Sequence, residues 1–257
     1  MSMFRRRIIL SRENPKQPAS GSGCMRAALE DDFHHFCVEL HYQDGIVTAL
    51  HGTAPRHPYS TCPQALEPLQ ALVGMALTPV AHAVTRVTPG ELQCTHWFEL
   101  SGLAIAAAAR GTARRQYDVE VDTLAEVPVD GVRHARIHRD GLPLLAWHVQ
   151  DGTILGPPPY ENIALMQGMA RWALDTLPVE EAEAALVLRR CTGISKGRSI
   201  NLDAQVHAKP NAHCYSQQPV RAEQALRQIG STWDFAHRSV ELCRDDLDWL
   251  DFKPTNV

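Results

Sequence analysis

Phe33-His34-His35-Phe36-Cys37-Val38-Glu39-Leu40-His41-Tyr42 runs into Gln43-Asp44-Gly45 and then into Ile46-Val47-Thr48-Ala49-Leu50-His51. The first run partly alternates apolar and polar residues, which is the period of a strand. Asp-Gly is a tight-turn dipeptide, because the favoured hairpin turns need positive φ. The second run returns as a strand, so residues 33–51 read as an antiparallel hairpin. With helical patterns following, the fold class expected is α+β: antiparallel sheets with helices packed on one side.

Upstream, Asn14-Pro15, Gln17-Pro18 and Ser20-Gly21-Ser22-Gly23 resist regular structure, and residues 1–23 read as an irregular N-terminal arm. Downstream, a proline-rich loop spans Pro55 to Pro63. Residues 65–75 read as a helix and 80–87 as a short segment. After Thr88-Pro89-Gly90-Glu91 comes Cys94-Thr95-His96, at the mouth of a helical run from Trp97 to Arg110 that is rich in alanine.

The second half repeats this grammar. Tyr117 to Val121, Val132 to Arg139 and Leu144 to Val149 are strand candidates, with turns at Asp140-Gly141 and Asp151-Gly152. Pro157-Pro158-Pro159 precedes a helical run from Glu161 to Leu177. Pro178 and the acids after it start another helix through Arg190, the expected start signal. Two readings stand. One is an internal pseudo-repeat of two scaffold-like halves, about 30–111 and 115–198. The other is the ordinary recurrence of common elements, since identity between the halves is negligible. Asn201 to His207 reads as a strand and Arg221 to Gln228 as a helix. The domain division is a 1–23 arm, a 24–114 α+β half, and a 115–257 second half with a C-terminal extension.

Composition narrows the function. The 257 residues carry a formal charge of −4, which argues against broad nucleic-acid binding. Arg5-Arg6-Arg7 is a short basic cluster, read as a solvated tail or as an anchor for a partner. No stretch approaches the ~20 apolar residues that span a bilayer, and no secretory signal is visible. Seven scattered cysteines without an export signal suggest reduced thiols in a cytoplasm. No Cys-x-x-Cys occurs. Thirteen histidines raise the expectation of proton transfer or metal binding. The absence of Gly-x-Gly-x-x-Gly and Gly-x-Ser-x-Gly leaves nucleotide cofactors and α/β-hydrolase chemistry without support.

Cys62, Cys94 and His96, joined by Asp32 or His34, offer the thiolate, imidazole and carboxylate mixture that zinc accepts. The metal set expected is Cys62, Cys94, His96 and Asp32, and the cofactor is either zinc or none. The plainer reading makes Cys62 and Cys94 buried small residues and His96 a packed, hydrogen-bonded one. Without metal, Cys62 with His96 is the more natural pair, because neighbours two apart on a helix do not face each other. Arg190 or Arg198 suits a carboxylate or phenolate, or else pairs with glutamates on a solvated helix. Tyr59, Tyr160 and Trp147 complete the candidate substrate-binding set with Arg190. Core packing is the alternative for Tyr160 and Trp147.

Tyr59-Ser60-Thr61-Cys62-Pro63, Leu72-Val73-Gly74 and Cys94-Thr95-His96 resemble the Tyr-x-x-Cys-Pro, Leu-Val-Gly and Cys-Thr-His motifs of an uncharacterised bacterial family, a domain of unknown function. The resemblance covers about residues 25–115. It implies company with aromatic-compound catabolism, hence small hydrophobic substrates. More distantly, the same stretch is similar to the U-type iron–sulfur cluster assembly scaffold. That family has a hairpin with a Gly turn, a loop cysteine before a helix and a His-Cys pair opening an alanine-rich helix. The counterparts are Gln43-Asp44-Gly45, Cys62, and Cys94 with His96 before Leu103-Ala104-Ile105-Ala106-Ala107-Ala108. This resemblance implies groups converging at one end of an α+β layer. The sequence departs from it where Glu30-Asp31-Asp32 stands for the scaffold's Cys-Gly-Asp and Cys-x-His for its His-Cys.

The expected function is a cytoplasmic catabolic enzyme, a lyase working by acid–base catalysis, on a small aromatic or apolar metabolite. His96 or His34 takes the proton, Cys62 and Cys94 position or polarise, and Arg198 neutralises negative charge. A hydrolase and a metal or iron–sulfur carrier are the alternatives. No nucleic-acid or membrane partner is expected, and a homodimer is left open.

Overall fold

Three Asp-Gly pairs reverse the chain. Asp44-Gly45, Asp140-Gly141 and Asp151-Gly152 have φ of 52° and 75°, 53° and 82°, and 49° and 83°. Positive φ at both central residues is the type I′ hairpin turn, whose twist matches that of its strands. The computed structural model describes residues 3–14, 21–123 and 131–253. They form an α+β fold of antiparallel strands and helices. The strands are β1 (Met3–Arg12), β2 (Gly23–Asp31), β3 (His35–Gln43), β4 (Ile46–Arg56), β5 (Arg114–Asp122), β6 (Arg133–Arg139), β7 (Leu142–Gln150) and β8 (Thr153–Gly156). The helices are α1 (Leu66–Leu69), α2 (Thr95–Arg110), α3 (Met169–Thr176), α4 (Val179–Ile194), α5 (Pro219–Ala222) and α6 (Leu247–Leu250). Among the described residues, no helix is long and apolar enough to cross a membrane.

The chain divides into two compact units that interleave along the sequence. One comprises Ile8–Arg115, Leu202–Trp233 and Cys243–Val257; the other comprises Met1–Arg7, Gln116–Asn201 and Asp234–Leu242. The C-terminal residues therefore divide between the halves instead of extending the second alone.

In the first of these units β2, β3 and β4 pair as an antiparallel meander. Successive side chains of a strand point to opposite faces. Phe36 of β3 meets Trp97 of α2 edge-on, with ring centroids 5.3 Å apart. The alternate residue Cys37 instead joins Ile9, Ala28, Cys243 and Leu250 in a buried cluster capped by Trp249. One face of the sheet is thus covered by α2 and the other by the C-terminal residues 243–250. Helix α2 is buried along nearly its whole length. Its alanines let it approach closely, and Gly102 lets it touch backbone: a Cβ there would lie 2.5 Å from the Ala81 carbonyl oxygen. Gly111, with φ 68°, ends the helix in the left-handed conformation.

In the other unit, β5 to β8 pair in order, and α4 starts after Pro178 with Glu180 and Glu181 in its first turn. The Tyr117 hydroxyl donates to Glu183 at 2.7 Å.

Several sequence expectations are corrected here. Residues 3–12, assigned to the arm, are strand β1, and 23–31 form β2. Strand β2 and the second half of β1 are almost wholly buried, and the alternation of burial is confined to the start of β1, where the side chains Arg5-Arg6-Arg7 do not alternate in polarity. Residues 1–2 and 15–20 of the arm lie outside the described residues. The helix expected over 65–75 breaks into short turns around α1, where Pro68 supplies no N–H. The helix expected from Glu161 starts only at Met169. Before it, the backbone of residues 162–165 is spent on Gly152 and Ile154 at β8. The strand expected over 201–207 gives way to a bridge, and of the helix expected over 221–228 only residues 221–222 are helical, at the end of α5, before bridges take over. Arg227 N–H donates to Val206, and Ser60 N–H and Gln228 N–H tie Leu226 and Pro58 together across the loop.

Candidate functional site

The reversal from β2 to β3 is made by Asp31-Asp32-Phe33-His34. The Asp31 N–H donates to the His34 carbonyl at 2.8 Å. The Asp31 carboxylate accepts the N–H groups of Phe33 at 2.7 Å and His34 at 2.8 Å. A short carboxylate folding back on its own loop is the usual means by which Asp closes a turn. The same carboxylate lies 3.0 Å from His34 Nδ1. An ionised carboxylate only accepts, so Nδ1 carries a proton, and in the neutral ring the lone pair is then on Nε2.

His96, in the first turn of α2, lies against that ring. The two imidazoles stack with centroids 3.6 Å apart and planes 27° from parallel, and Phe36 lies 5.6 Å from His96. Donor atoms of Asp31, His34 and His96 all lie within 4.8 Å of one another. Asp31 is fully buried, and His34, 9 % exposed, is the edge of the group nearest solvent. Arg56 clamps the turn from behind: its guanidinium donates to the carbonyls of Asp31, Asp32 and His34 and to Glu30, and stacks over Trp233.

The loop ending at Cys62 and the turn ending at Cys94 come together, and Cys214 joins them. Cys62 Sγ is 3.4 Å from the Ser216 hydroxyl, which also accepts from Thr61 at 2.9 Å. Burial pushes the Cys62 thiol up to about 12, against the lowering contact with Ser216. Burial also raises Cys94, and the neighbouring Cys62 and Cys214 raise it further. The amides of Trp97 and His96 at the helix start pull the other way and lose. Cys214 is likewise raised by burial. A helix N-terminus ordinarily favours a thiolate, but here desolvation outweighs it. These are thiols at neutral pH, poorly suited to attack or to polarise.

Residues 14–110 match the family described as "Protein of unknown function (DUF2889)". That segment holds Asp31, His34, Cys62, Cys94 and His96. No curated protein matches the chain.

The other expected site residues scatter. Asp32 contributes its carbonyl, to Arg56 at 3.1 Å and to the Trp233 N–H at 2.7 Å. The groups of close metal-capable donors among the described residues include His96 but not Cys62, Cys94 or Asp32. Tyr59 is buried, its hydroxyl raised by that burial against the pull of Arg227. Tyr160, Trp147, Arg190 and Arg198 belong to the other unit. There Tyr160 donates to Glu181 at 2.6 Å between Trp147 and Trp172, and Arg198 pairs with Asp234 at 3.0 Å. Arg198 thus has a carboxylate of its own to neutralise. Sequence reasoning chose Asp32 and missed Asp31. The signal was an Asp three residues before a His at a strand reversal, the spacing of a carboxylate that caps its own turn.

Proposed function

We propose that this protein is a cytoplasmic enzyme moving a proton at His34 Nε2, with Asp31 holding the ring and His96 stacked on it. The observation that carries the reading is the buried Asp31–His34 contact at 3.0 Å. It is the base-and-orienter pair on which acid–base catalysis is built. Phe33 and Phe36, each 6.0 Å from the His34 ring, favour an apolar or aromatic substrate. Lyase chemistry, elimination or C–C cleavage next to an acidifying group, needs only such a base and no nucleotide.

The test is turnover of a panel of small aromatic hydroxy- and oxo-acids, followed by deuterium uptake from D2O at the carbon that loses a proton. Asp31→Asn keeps Oδ1, which accepts both amides and lies 3.0 Å from His34 Nδ1, but replaces Oδ2, 3.3 Å from the same nitrogen, with an NH2 group and removes the negative charge. The imidazolium that forms on proton uptake then lacks its counter-charge, and activity falls by up to roughly 10⁴-fold if the carboxylate matters as it does in catalytic triads. Full activity in Asp31→Asn, or no turnover anywhere on the panel with ligands still binding, would overturn the enzyme reading.

A metal carrier is the second reading, favoured by the three donors within 4.8 Å of one another. Imidazole lone pairs lie in the ring planes, so stacked rings do not aim at a common ion until one of them turns. That places proton transfer ahead. Metal analysis of the freshly purified protein separates the two, a loss of metal in His34→Gln and His96→Gln together supporting the carrier.

A further inference from the structure

Strand β3 has a second face, and it is rich in ligating groups. His35, Cys37, Glu39 and His41 alternate with Phe36, Val38, Leu40 and Tyr42. His35 and Cys37, two residues apart on a strand, project to the same side. Asp246, from the C-terminal segment, meets them there. His35 Nε2 lies 2.8 Å from Asp246 Oδ2, Cys37 Sγ 3.4 Å from Asp246 Oδ1, and Cys37 Sγ 3.9 Å from His35 Nε2.

We propose that His35, Cys37 and Asp246 form a three-ligand site for a thiophilic divalent cation of the zinc type, with its remaining position open to a small ligand. Three observations carry this, and none depends on the chemistry assigned to His34.

The first is size. With zinc–sulfur bonds near 2.3 Å and zinc–nitrogen or –oxygen bonds near 2.0–2.2 Å, a tetrahedral ion has ligand–ligand edges of roughly 3.3–3.6 Å. The contacts of 2.8, 3.4 and 3.9 Å, made through both oxygens of Asp246, straddle that range, and one donor atom from each residue lies within 4.8 Å of the other two. One thiolate and one carboxylate also balance the charge of the ion, with His35 neutral.

The second is support behind the ligands. Zinc-bound histidines usually turn their other ring nitrogen toward a carboxylate. His35 Nδ1 faces Glu30 Oε1 at 3.8 Å. Glu30 is itself fixed by Arg56 at 3.1 Å and by the Cys243 N–H at 2.7 Å. The pairing of β3 with β4 slips between His35, opposite Arg56, and Cys37, opposite Thr53. Irregularities of this kind re-aim side chains beside sites.

The third is access. Cys37 and Asp246 line a cavity of about 340 Å³ together with Glu39, His51, Thr53 and Trp249. An ion on the triad would present its open position to this cavity, as catalytic zinc sites do and closed structural ones do not. Trp249 offers an apolar wall for the ligand.

The experiment uses the full chain stripped with a chelator, then titrated with Co²⁺ alone, and in parallel with Zn²⁺ read by a chromogenic chelator. One equivalent should bind, giving tetrahedral d–d bands and a thiolate-to-cobalt charge-transfer band. Cys37→Ser should abolish the charge-transfer band. Asp246→Asn should weaken binding at least tenfold, and Glu30→Gln by roughly 10–100-fold, the usual effect of losing an outer-shell partner. Cys62→Ser and Cys94→Ser should keep the band. So should His34→Gln, which separates this site from the proton-transfer site on the other face. Far-UV circular dichroism confirms that each variant is folded. A wild-type chain that binds no cobalt, or a folded Cys37→Ser that retains the charge-transfer band, overturns the proposal.

Discussion

Removing the Asp31 carboxylate should destabilise the protein well beyond an ordinary surface change. In Asp31→Ala the Phe33 and His34 N–H groups lose the acceptor they reach at 2.7 and 2.8 Å. Asp31 is fully buried, so water does not easily replace it. A buried donor left without a partner costs about 1–3 kcal/mol, giving about 2–6 kcal/mol for the two, before any loss at His34. That is a large part of the roughly 5–15 kcal/mol that stabilises a typical domain. Asp31→Asn keeps an oxygen for both amides and should cost only about 1 kcal/mol. Urea denaturation followed by circular dichroism measures both. The expected order is wild type, then Asn close behind, then Ala far below. An alanine variant within about 1 kcal/mol of wild type would refute the claim that this carboxylate closes the turn.

Further consequences are open to measurement. With Ellman's reagent the half-buried Cys214 and the cavity-lining Cys37 should react in the native protein, while Cys62 and Cys94 react only on unfolding; a fast phase surviving in the double variant Cys37→Ser, Cys214→Ser would contradict this. Gly102→Ala places a Cβ against the Ala81 carbonyl oxygen at 2.5 Å and should cost about 1–3 kcal/mol as an overpacking change, seen as a lower melting temperature; a melting temperature equal to wild type would show that this segment gives way. In the metal-free protein His35 is pulled down by burial, but the hydrogen bond and charge of Asp246 and the charge of Glu30 outweigh that and raise it above its ordinary 6.5. A raised imidazole stabilises the folded state fully below pH 6.5, and that contribution disappears as the pH climbs through the folded-state value. The stability gap between wild type and His35→Gln should therefore narrow with rising pH, and a gap that widens would reverse the assignment.

The candidate site was partly legible because some of its signals are local. Cys62 and Cys94 were placed at loop ends before helical turns, and the chain does bring those ends together. The same reading gave Cys94 a polarising or ligating role beside the plainer one of a buried small residue. Helix position is local information, whereas burial, which decides the thiol's state, is not. Asp32 and Asp31 are chemically identical in the sequence, and only the turn shows which carboxylate points at His34. The run His35-x-Cys37-x-Glu39-x-His41 was visible as an alternation. Its partner Asp246 lies 211 residues away, and no spacing rule reaches that far.

The sequence by itself determined the three Asp-Gly strand reversals and the helices that follow Cys94 and Pro178. Asp-Gly pairs tolerate positive φ, and the alanine-rich run after Cys94 favours a helix over any competing form; these are properties of a few neighbouring residues. The tertiary structure alone decided the rest. It turned the first ten residues of the described chain into a strand, sent the C-terminal residues back over β3, and set His34 against His96 of α2 while its neighbour His35 meets Asp246. Which groups lose their water and which meet a distant carboxylate depends on how the whole chain packs, because desolvation and charge pairing act through space and not along the backbone.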